Sequence, residues 1–263
     1  MDIDLKKMHE IELDILKVVH ALCEEKGVRY YLGYGTMLGA VRHGGFIPWD
    51  DDIDILMPRQ DYERFLRLAE RELPKEYIVK HPGNTKPYLY DFAKIEDKRT
   101  KIVETTYSYM NLDGGIYIDI FPLDGAPNNS FCRKMHLKHI EFWQQLLAMY
   151  YANPDKKRNF VKKSIVSIVK KIFDQDTLNA RIVKNMRKYS FDESNYVGYY
   201  EGRENELTLK KYLGDPIKIE FEKIEFYGVE KPKEYLTAIY GDYMKLPPEQ
   251  ERIAHMHSLV QYR

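Results

Sequence analysis

The chain of 263 residues has two cysteines, Cys23 and Cys132, and no surplus of charge, with 41 basic and 41 acidic side chains. Two cysteines are too few for a disulfide scaffold or a cysteine-rich zinc site. General nucleic-acid binders usually carry a basic surplus, because contacts to phosphate dominate their affinity. We therefore expect two reduced thiols and no nucleic-acid partner.

Long hydrophobic runs are also missing. No apolar stretch approaches the roughly 20 residues that a transmembrane helix needs, and the N-terminus has no apolar secretory core behind a basic start. We therefore expect a cytoplasmic protein. Hydrophobic residues still make up 44% of the chain and aromatic residues 13%, which is enough for a sizeable core at this length.

The hydrophobic periodicity predicts an α+β fold in a single domain of residues 1–263. A catalytic α/β core over 1–128 is expected to contain a mixed sheet flanked by helices, a helical insertion covers 129–190, and an α/β segment covers 191–263. The predicted helices are 4–26, 37–42, 59–72 and one from 231, and the predicted strands are 28–32, 52–57, 76–80, 88–95, 100–105, 116–121, 217–221 and 224–226.

The most informative stretch is acidic. Asp50, Asp51, Asp52 and Asp54 fall within five positions and are flanked by apolar residues. So many like charges at the start of a strand are unfavourable unless a cation or solvent compensates them. Strand alternation places Asp52 and Asp54 on one face, and paired carboxylates suit Mg²⁺ or Mn²⁺. A solvated acidic turn is the alternative.

Two further features lie on either side of this cluster. Gly35 and Thr36 follow a predicted strand and open a short helix, which would expose backbone N–H groups to a phosphate. Asp119 is the lone carboxylate on one face of an apolar strand, where an edge-strand surface charge is the alternative. Together with Asp52 and Asp54, these residues match the layout of nucleotidyltransferases, in which carboxylates on adjacent strands hold two metal ions.

The run GTMLGAVRHGGFIPWDDDIDI at 35–55 resembles the signature of the LicD family of phosphotransferases, which have a nucleotidyltransferase fold. Further similarities are DIFPLD at 119–124 and YGDYMKLPP at 240–248. Small departures from the family pattern are Met37, where leucine is more usual, and Tyr34, where glycine is frequent. Neither departure removes a functional group.

The resemblance implies a fold, an activity and its cofactor. Bacterial members transfer phosphocholine from CDP-choline to sugars of teichoic acids or other surface glycans, and animal relatives transfer ribitol phosphate. It implies that Asp52, Asp54 and Asp119 hold Mg²⁺ or Mn²⁺ and that Asp119 accepts the proton of the acceptor hydroxyl. Asp50 and Asp51 would orient a ligand or an outer water. No zinc is expected, because the cysteine cluster of some animal relatives is missing.

Several other side chains have two interpretations. Arg42 is a candidate phosphate clamp or a surface salt-bridge partner. Lys94 and Arg99 are candidate contacts to the phosphate or cytidine of the donor, or belong to a solvated basic turn. Trp49 either stacks on the donor or packs beneath the loop.

A quaternary ammonium such as that of choline needs aromatic faces around it. The tyrosines of Tyr107-Ser108-Tyr109 and Tyr199-Tyr200 are candidates for such a cage.

The segment 156–173 carries seven basic residues and no acidic one. It is expected to form a basic amphipathic helix that attaches to an anionic bilayer at the inner face of the membrane, where family acceptors are often lipid-linked. Packing on the core with a solvated basic face is the alternative.

Two other functions stay open at this stage. One is a nucleotidyltransferase that adds a nucleoside monophosphate to a small acceptor and releases pyrophosphate. The other is a non-catalytic module that binds a sugar or a cation. The joint presence of Asp52, Asp54 and Asp119 with Gly35, Thr36 and Arg42 argues against the second.

Overall fold

A computed structural model describes residues 3–103, 109–110, 112, 114–153, 156, 160–200, 207–252 and 259–262. Its helices are α1 Leu5–Lys26, α2 Tyr34–His43, α3 Arg59–Glu72, α4 Ser130–Tyr150, α5 Phe160–Ile172, α6 Gln175–Met186, α7 Lys210–Leu213, α8 Pro232–Tyr240 and a 3-10 helix at Glu249–Glu251. Its strands are β1 Tyr31–Leu32, β2 Asp54–Pro58, β3 Tyr77–Lys80, β4 Ala93–Val103, β5 Gly114–Ala126, β6 Tyr196–Gly198, β7 Thr208–Leu209, β8 Ile217–Phe221, β9 Ile224–Gly228 and β10 Leu259–Tyr262. The α+β class predicted from the sequence is confirmed.

The main sheet is mixed. Its strands follow the order β1-β2-β5-β4-β10, with β3 added to β4 and the short strands β6 and β7 added beyond β5. β2 and β5 run parallel, and their other neighbours are antiparallel. β8 and β9 form a separate hairpin. The parallel register at the centre brings the start of β2 beside Asp119, in the middle of β5.

One face of the central strands forms the core. Ile53, Ile55, Ile118 and Ile120 are fully buried, as the sequence predicts for residues that alternate with carboxylates. Helix α1 begins after its N-cap Asp4, whose side chain accepts from Lys7 N, and ends at Gly27 in a left-handed conformation. Its apolar stripe is buried with the isoleucines in one core.

Several predicted strands were wrong in their bounds. β2 begins at Asp54, so Asp52 precedes the strand, and alternation does not fix its direction. The predicted strands 88–95 and 100–105 form one strand, β4, that begins at Ala93, and residues 104–105 lie outside the described residues. β1 is shorter than the predicted 28–32. Pairing with a neighbouring strand, rather than burial or residue type, separates strand from loop here, since Val28 and Tyr88 are buried but lie outside the strands.

Helices α4, α5 and α6 follow β5 along the chain, as predicted for the segment 129–190. The side chain of Asn129 caps α4 by accepting from Cys132 N, and Asp174 caps α6 by accepting from Thr177 N. Within the described part of the chain, none of the helices has the length and apolar character needed to cross a bilayer. The bounds of the three predicted segments stay a prediction.

Candidate active site

Asp54 and Asp119 lie directly beside each other. They are register partners in the parallel pair β2–β5, and the N–H of Asp119 donates to the carbonyl of Ile53 at 2.8 Å. Both residues are 9% exposed. The sheet therefore brings together two carboxylates that are 65 positions apart in the sequence and keeps them largely away from water.

Thr36 fixes the start of β2. Its hydroxyl accepts a hydrogen bond from Asp54 N at 2.8 Å, and Gly33 N donates to the Asp54 carbonyl at 2.9 Å. Thr36 is buried in the first turn of α2, where backbone N–H groups have no partner within the helix. The predicted phosphate turn thus lies next to the carboxylates, and the Thr36 side chain positions Asp54.

The loop before β2 is held close to the same place. His9 Nε2, on α1, lies 2.7 Å from the carbonyl oxygen of Asp50, and the His9 ring stacks on Phe46. A Cβ on Gly35 would lie 2.7 Å from Asp50 Oδ2, so a larger residue there would displace the Asp50 carboxylate from its position against α2. Burial, and then the charges of Asp52 and Asp51, raise the pKa of Asp50.

The hairpin β8–β9 supports the glycines of the motif. Its turn residue Glu222 donates its N–H to the Gly44 carbonyl at 3.0 Å and accepts from Phe46 N at 3.1 Å. A Cβ on Gly45 would lie 2.0 Å from Glu222 Oε1. The two consecutive glycines therefore allow the loop to pass between α2 and the hairpin.

Glu12 is a site residue that the sequence reasoning missed. It lies on the apolar face of α1, it is 0% exposed, and neither of its carboxylate oxygens has a hydrogen-bond partner in the structure. Burial raises its pKa strongly, and the charges of Asp52, Asp51, Asp50 and Asp119 add to this shift. The sequence signal that could have identified Glu12 is an acidic residue at an apolar position of an amphipathic helix.

Lys94 lies beside Asp119. It is the register partner of Asp119 on β4, and its Nζ lies 3.5 Å from Asp119 Oδ1. The ammonium group also lies 3.3 Å from the ring centroid of Tyr117 and 4.2 Å from that of Tyr90. This buried cation is therefore placed to meet an anionic group beside Asp119, rather than belonging to a solvated turn.

Arg42 links α2 to the segment after α8. Its NH1 donates to the carbonyl of Tyr243 at 2.8 Å, and its Nε donates to His43 Nε2. Tyr240, at the end of α8, is a second missed residue. Desolvation of its phenol, followed by the charges of Tyr235, Asp54, Asp50 and Asp52, raises its pKa. The YGDYMKLPP segment thus reaches the site.

The remaining predicted residues lie at the margin. Trp49 packs against the core, and the guanidinium of Arg252 lies 5.4 Å from the centroid of its ring. Arg99 pairs with the buried Asp97 at 2.6 Å and is five residues beyond Lys94, roughly 15 Å of extended strand. The structure does not bring Arg99 to the carboxylates.

The donor chemistry of the site fits a hard divalent cation. Asp54, Asp119 and Asp52 offer only oxygen ligands, and buried oxygens of Glu12 and Asp51 have no hydrogen-bond partner in the structure. Among the described residues, no three acidic, histidine or cysteine side chains converge closely enough, as they stand, to hold a metal ion. Metal binding therefore stays a prediction that rests on donor type and on crowded negative charge.

Comparison with known proteins identifies the family. A domain described as "LicD/FKTN/FKRP, nucleotidyltransferase domain" matches residues 27–167, just over half of the chain. The lipopolysaccharide cholinephosphotransferase LicD of Haemophilus influenzae is 33% identical over 261 residues, which cover 95% of each chain. The human ribitol 5-phosphate transferase FKRP is 51% identical over 137 residues, 50% of this chain and 24% of that one. The chain belongs to the LicD family of transferases.

Proposed function

We propose that the chain transfers a phospho-alcohol group from a CDP-linked donor to a sugar hydroxyl and releases CMP. Phosphocholine from CDP-choline is the favoured group, and a lipid-linked or oligosaccharide precursor of a cell-surface glycan, such as teichoic acid, is the favoured acceptor. The observation that carries the proposal is the pairing of Asp54 with Asp119 beside the first turn of α2. The similarity to a cholinephosphotransferase and a ribitol 5-phosphate transferase supports the reaction class.

In this proposal Asp52, Asp54 and Asp119 hold Mg²⁺ or Mn²⁺. Such ions, when bound, polarise the diphosphate and neutralise the charge that develops on the departing CMP. The first turn of α2 at Gly35 and Thr36 supplies N–H groups for a phosphate oxygen. Asp50 and Asp51 line the same loop and would orient the ligand shell.

The group transfer is an in-line displacement at phosphorus. The oxygen of the acceptor hydroxyl forms a bond to the distal phosphorus of the donor, and the bond from that phosphorus to the CMP oxygen breaks. Asp119 accepts the proton of the hydroxyl. Lys94, 3.5 Å from Asp119, offers a positive charge to the transferred phosphate, and Arg42 would contact a phosphate at the other edge of the site.

The released products distinguish phospho-alcohol transfer from nucleotidyl transfer. The protein is incubated with Mg²⁺, a glycan acceptor and CDP-choline, CDP-ribitol or CTP in turn, and CMP and pyrophosphate are both quantified. We expect CMP from a CDP-alcohol and no pyrophosphate from CTP. Pyrophosphate release would identify a nucleotidyltransferase, and saturable binding of donor with no turnover would identify a binding module.

The requirement for a metal is tested separately. EDTA should abolish CMP release, and Mg²⁺ or Mn²⁺ should restore it. Full turnover in excess EDTA would contradict the proposed requirement for Mg²⁺ or Mn²⁺, but it would not contradict phospho-alcohol transfer.

A further inference from the structure

A cavity of about 260 Å³ lies between the segment before β4 and helix α4. Aromatic side chains of Tyr90, Phe92, Tyr151 and Tyr199 line it, together with the carboxylate of Asp91. Its roof is formed by α4, which belongs to the helical segment 130–186. This segment therefore lines the cavity as well as packing against the rest of the protein.

The cavity begins one side chain away from the candidate active site. Tyr90 lines the cavity and also contacts Lys94, whose Nζ lies 3.5 Å from Asp119. Phe121 follows Asp119 by two residues on the same face of β5, which corresponds to about 7 Å. The Phe121 ring centroid lies 4.4 Å from that of Phe92 and 4.7 Å from that of Tyr199.

Lys94 with Tyr90 on one side, and Phe121 with Phe92 on the other, thus connect Asp119 to the cavity. The cavity is therefore placed to hold the far end of the alcohol that is transferred, rather than the cytidine of the donor.

The cavity also has the chemistry of a cation site. Aromatic faces attract a cation through the ring quadrupole, and they suit a quaternary ammonium because it has no hydrogen to donate. Asp91 is 7% exposed and accepts hydrogen bonds from the Tyr199 hydroxyl and from Gln144 Nε2. Burial raises its pKa, so a positive charge nearby would stabilise the ionised carboxylate.

We propose that this cavity binds the quaternary ammonium end of the transferred phospho-alcohol, with Tyr90 and Phe92 as the aromatic contacts and Asp91 as the counter-charge. The proposal rests on the proposed function and deepens it, because it names the residues that select choline. Tyr199, one of the tyrosines expected from the sequence to form such a cage, contributes its ring and holds Asp91. In the other candidate segment, Tyr107-Ser108-Tyr109, the first two residues lie outside the described residues.

Direct binding tests the proposal without turnover. Choline and its neutral isostere 3,3-dimethylbutan-1-ol are titrated into the protein and followed by NMR. We expect choline to bind about 10-fold more tightly than the isostere, as a cation–π site requires, and Tyr90→Leu and Asp91→Asn each to remove most of this preference. Equal binding of the two ligands, or wild-type preference in both variants, would overturn the proposal.

The controls separate folding from recognition. Phe142→Leu changes an exposed aromatic residue of α4 that does not line the cavity, and it should bind choline as the wild type does. Tyr90 is only half-buried, so Tyr90→Leu remains informative if the buried change Asp91→Asn unfolds the protein, which circular dichroism would reveal.

The preference between donors then tests the cavity proposal independently of the proposed reaction. In wild type, CMP release should be faster with CDP-choline than with CDP-ribitol, and Tyr90→Leu should lower kcat/KM for CDP-choline by a larger factor than kcat/KM for CDP-ribitol, so that the preference is lost. Turnover with an unchanged preference would reject the cavity and leave the proposed function standing. If no CDP-alcohol yields CMP, the proposed function fails, and the choline titration alone decides whether the cavity binds the cation.

Discussion

Negative charge is crowded around Asp54, and burial makes this crowding unfavourable. Glu12 and Asp50 both have raised pKa values, mainly because they are buried and then because of neighbouring carboxylates. The folded protein therefore holds protons that the unfolded chain releases. Without a cation, its stability should fall as the pH rises above the ordinary pKa values of 3.8 for Asp50 and 4.5 for Glu12 and through their raised pKa values.

Replacing Glu12 tests this origin of the pH dependence. Glu12→Gln cannot ionise, so its melting temperature in EDTA should fall less steeply above pH 4.5 than that of the wild type. Thermal unfolding followed by circular dichroism measures the difference. The control is Glu10→Gln on the exposed face of α1, and a pH profile of Glu12→Gln that coincides with the wild type would contradict the explanation.

The backbone conformation of Tyr34 is visible only in the structure. Its φ of +37° lies in the left-handed region, which is accessible to glycine without a steric penalty. A glycine at this position would adopt the same conformation without that penalty. The motif could be recognised from the sequence, but the strained backbone at the start of α2 could not.

At the scale of elements, a buried ion pair joins α3 to β5. Arg59 Nε donates to Asp124 Oδ1 at 2.9 Å, and both residues are less than 10% exposed. Asp124 belongs to the DIFPLD stretch, but it faces Arg59 instead of the carboxylate pair. Its role is therefore structural.

Removing one partner of this pair leaves a buried, uncompensated charge. Asp124→Asn should lower the free energy of unfolding by about 3–5 kcal/mol. Glu225→Gln, which breaks the exposed pair with Lys218, should cost no more than about 1 kcal/mol. Urea denaturation measures both, and equal effects of the two substitutions would contradict the assignment.

Helix α5 presents apolar and basic side chains to solvent together. Ile165, Ile168 and Ile172 are 42%, 54% and 66% exposed, and the neighbouring Lys163, Lys170 and Lys171 are also exposed. Only part of the predicted apolar face packs inward, through Val169 and Phe173. Residues 157–159 of the predicted basic segment lie outside the described residues.

This combination supports attachment to an anionic bilayer. In co-sedimentation we expect the protein to bind vesicles that contain anionic lipid, to dissociate at high salt, and to bind more weakly after Ile168→Ser. Ile217→Ser, at an exposed isoleucine of β8, is the matched control. Sedimentation that is indifferent to lipid charge and salt would contradict the proposal.

At the scale of the whole molecule, local sequence patterns predicted the acidic cluster, the turn at Gly35-Thr36 and the carboxylate strand with Asp119. They did not predict β10, which joins residues 259–262 to β4, because a short edge strand is specified by its partner and not by its own composition. Lys94 was a candidate from the sequence, but its place beside Asp119 follows from the register of β4 and β5. Glu12 and Tyr240 were not predicted, because their positions in the site depend on how α1 and α8 pack.

The parallel register of β2 and β5 is the feature on which the proposed chemistry depends. It places Asp54 and Asp119 side by side, with Lys94 and the aromatic cavity on the flank of Asp119. A change of register by one residue would turn Asp119 toward the isoleucine core. The central claim is that these two carboxylates act together on one donor.

The most direct test is single-turnover CMP release from CDP-choline by Asp54→Asn and by Asp119→Asn, with Asp14→Asn as an exposed control on α1. We predict that each site variant loses at least about 100-fold in rate, as expected when a group that stabilises the transition state is removed. The melting temperatures of the site variants should stay close to that of the wild type, and the control should be fully active. Wild-type CMP release by either folded site variant would contradict the account.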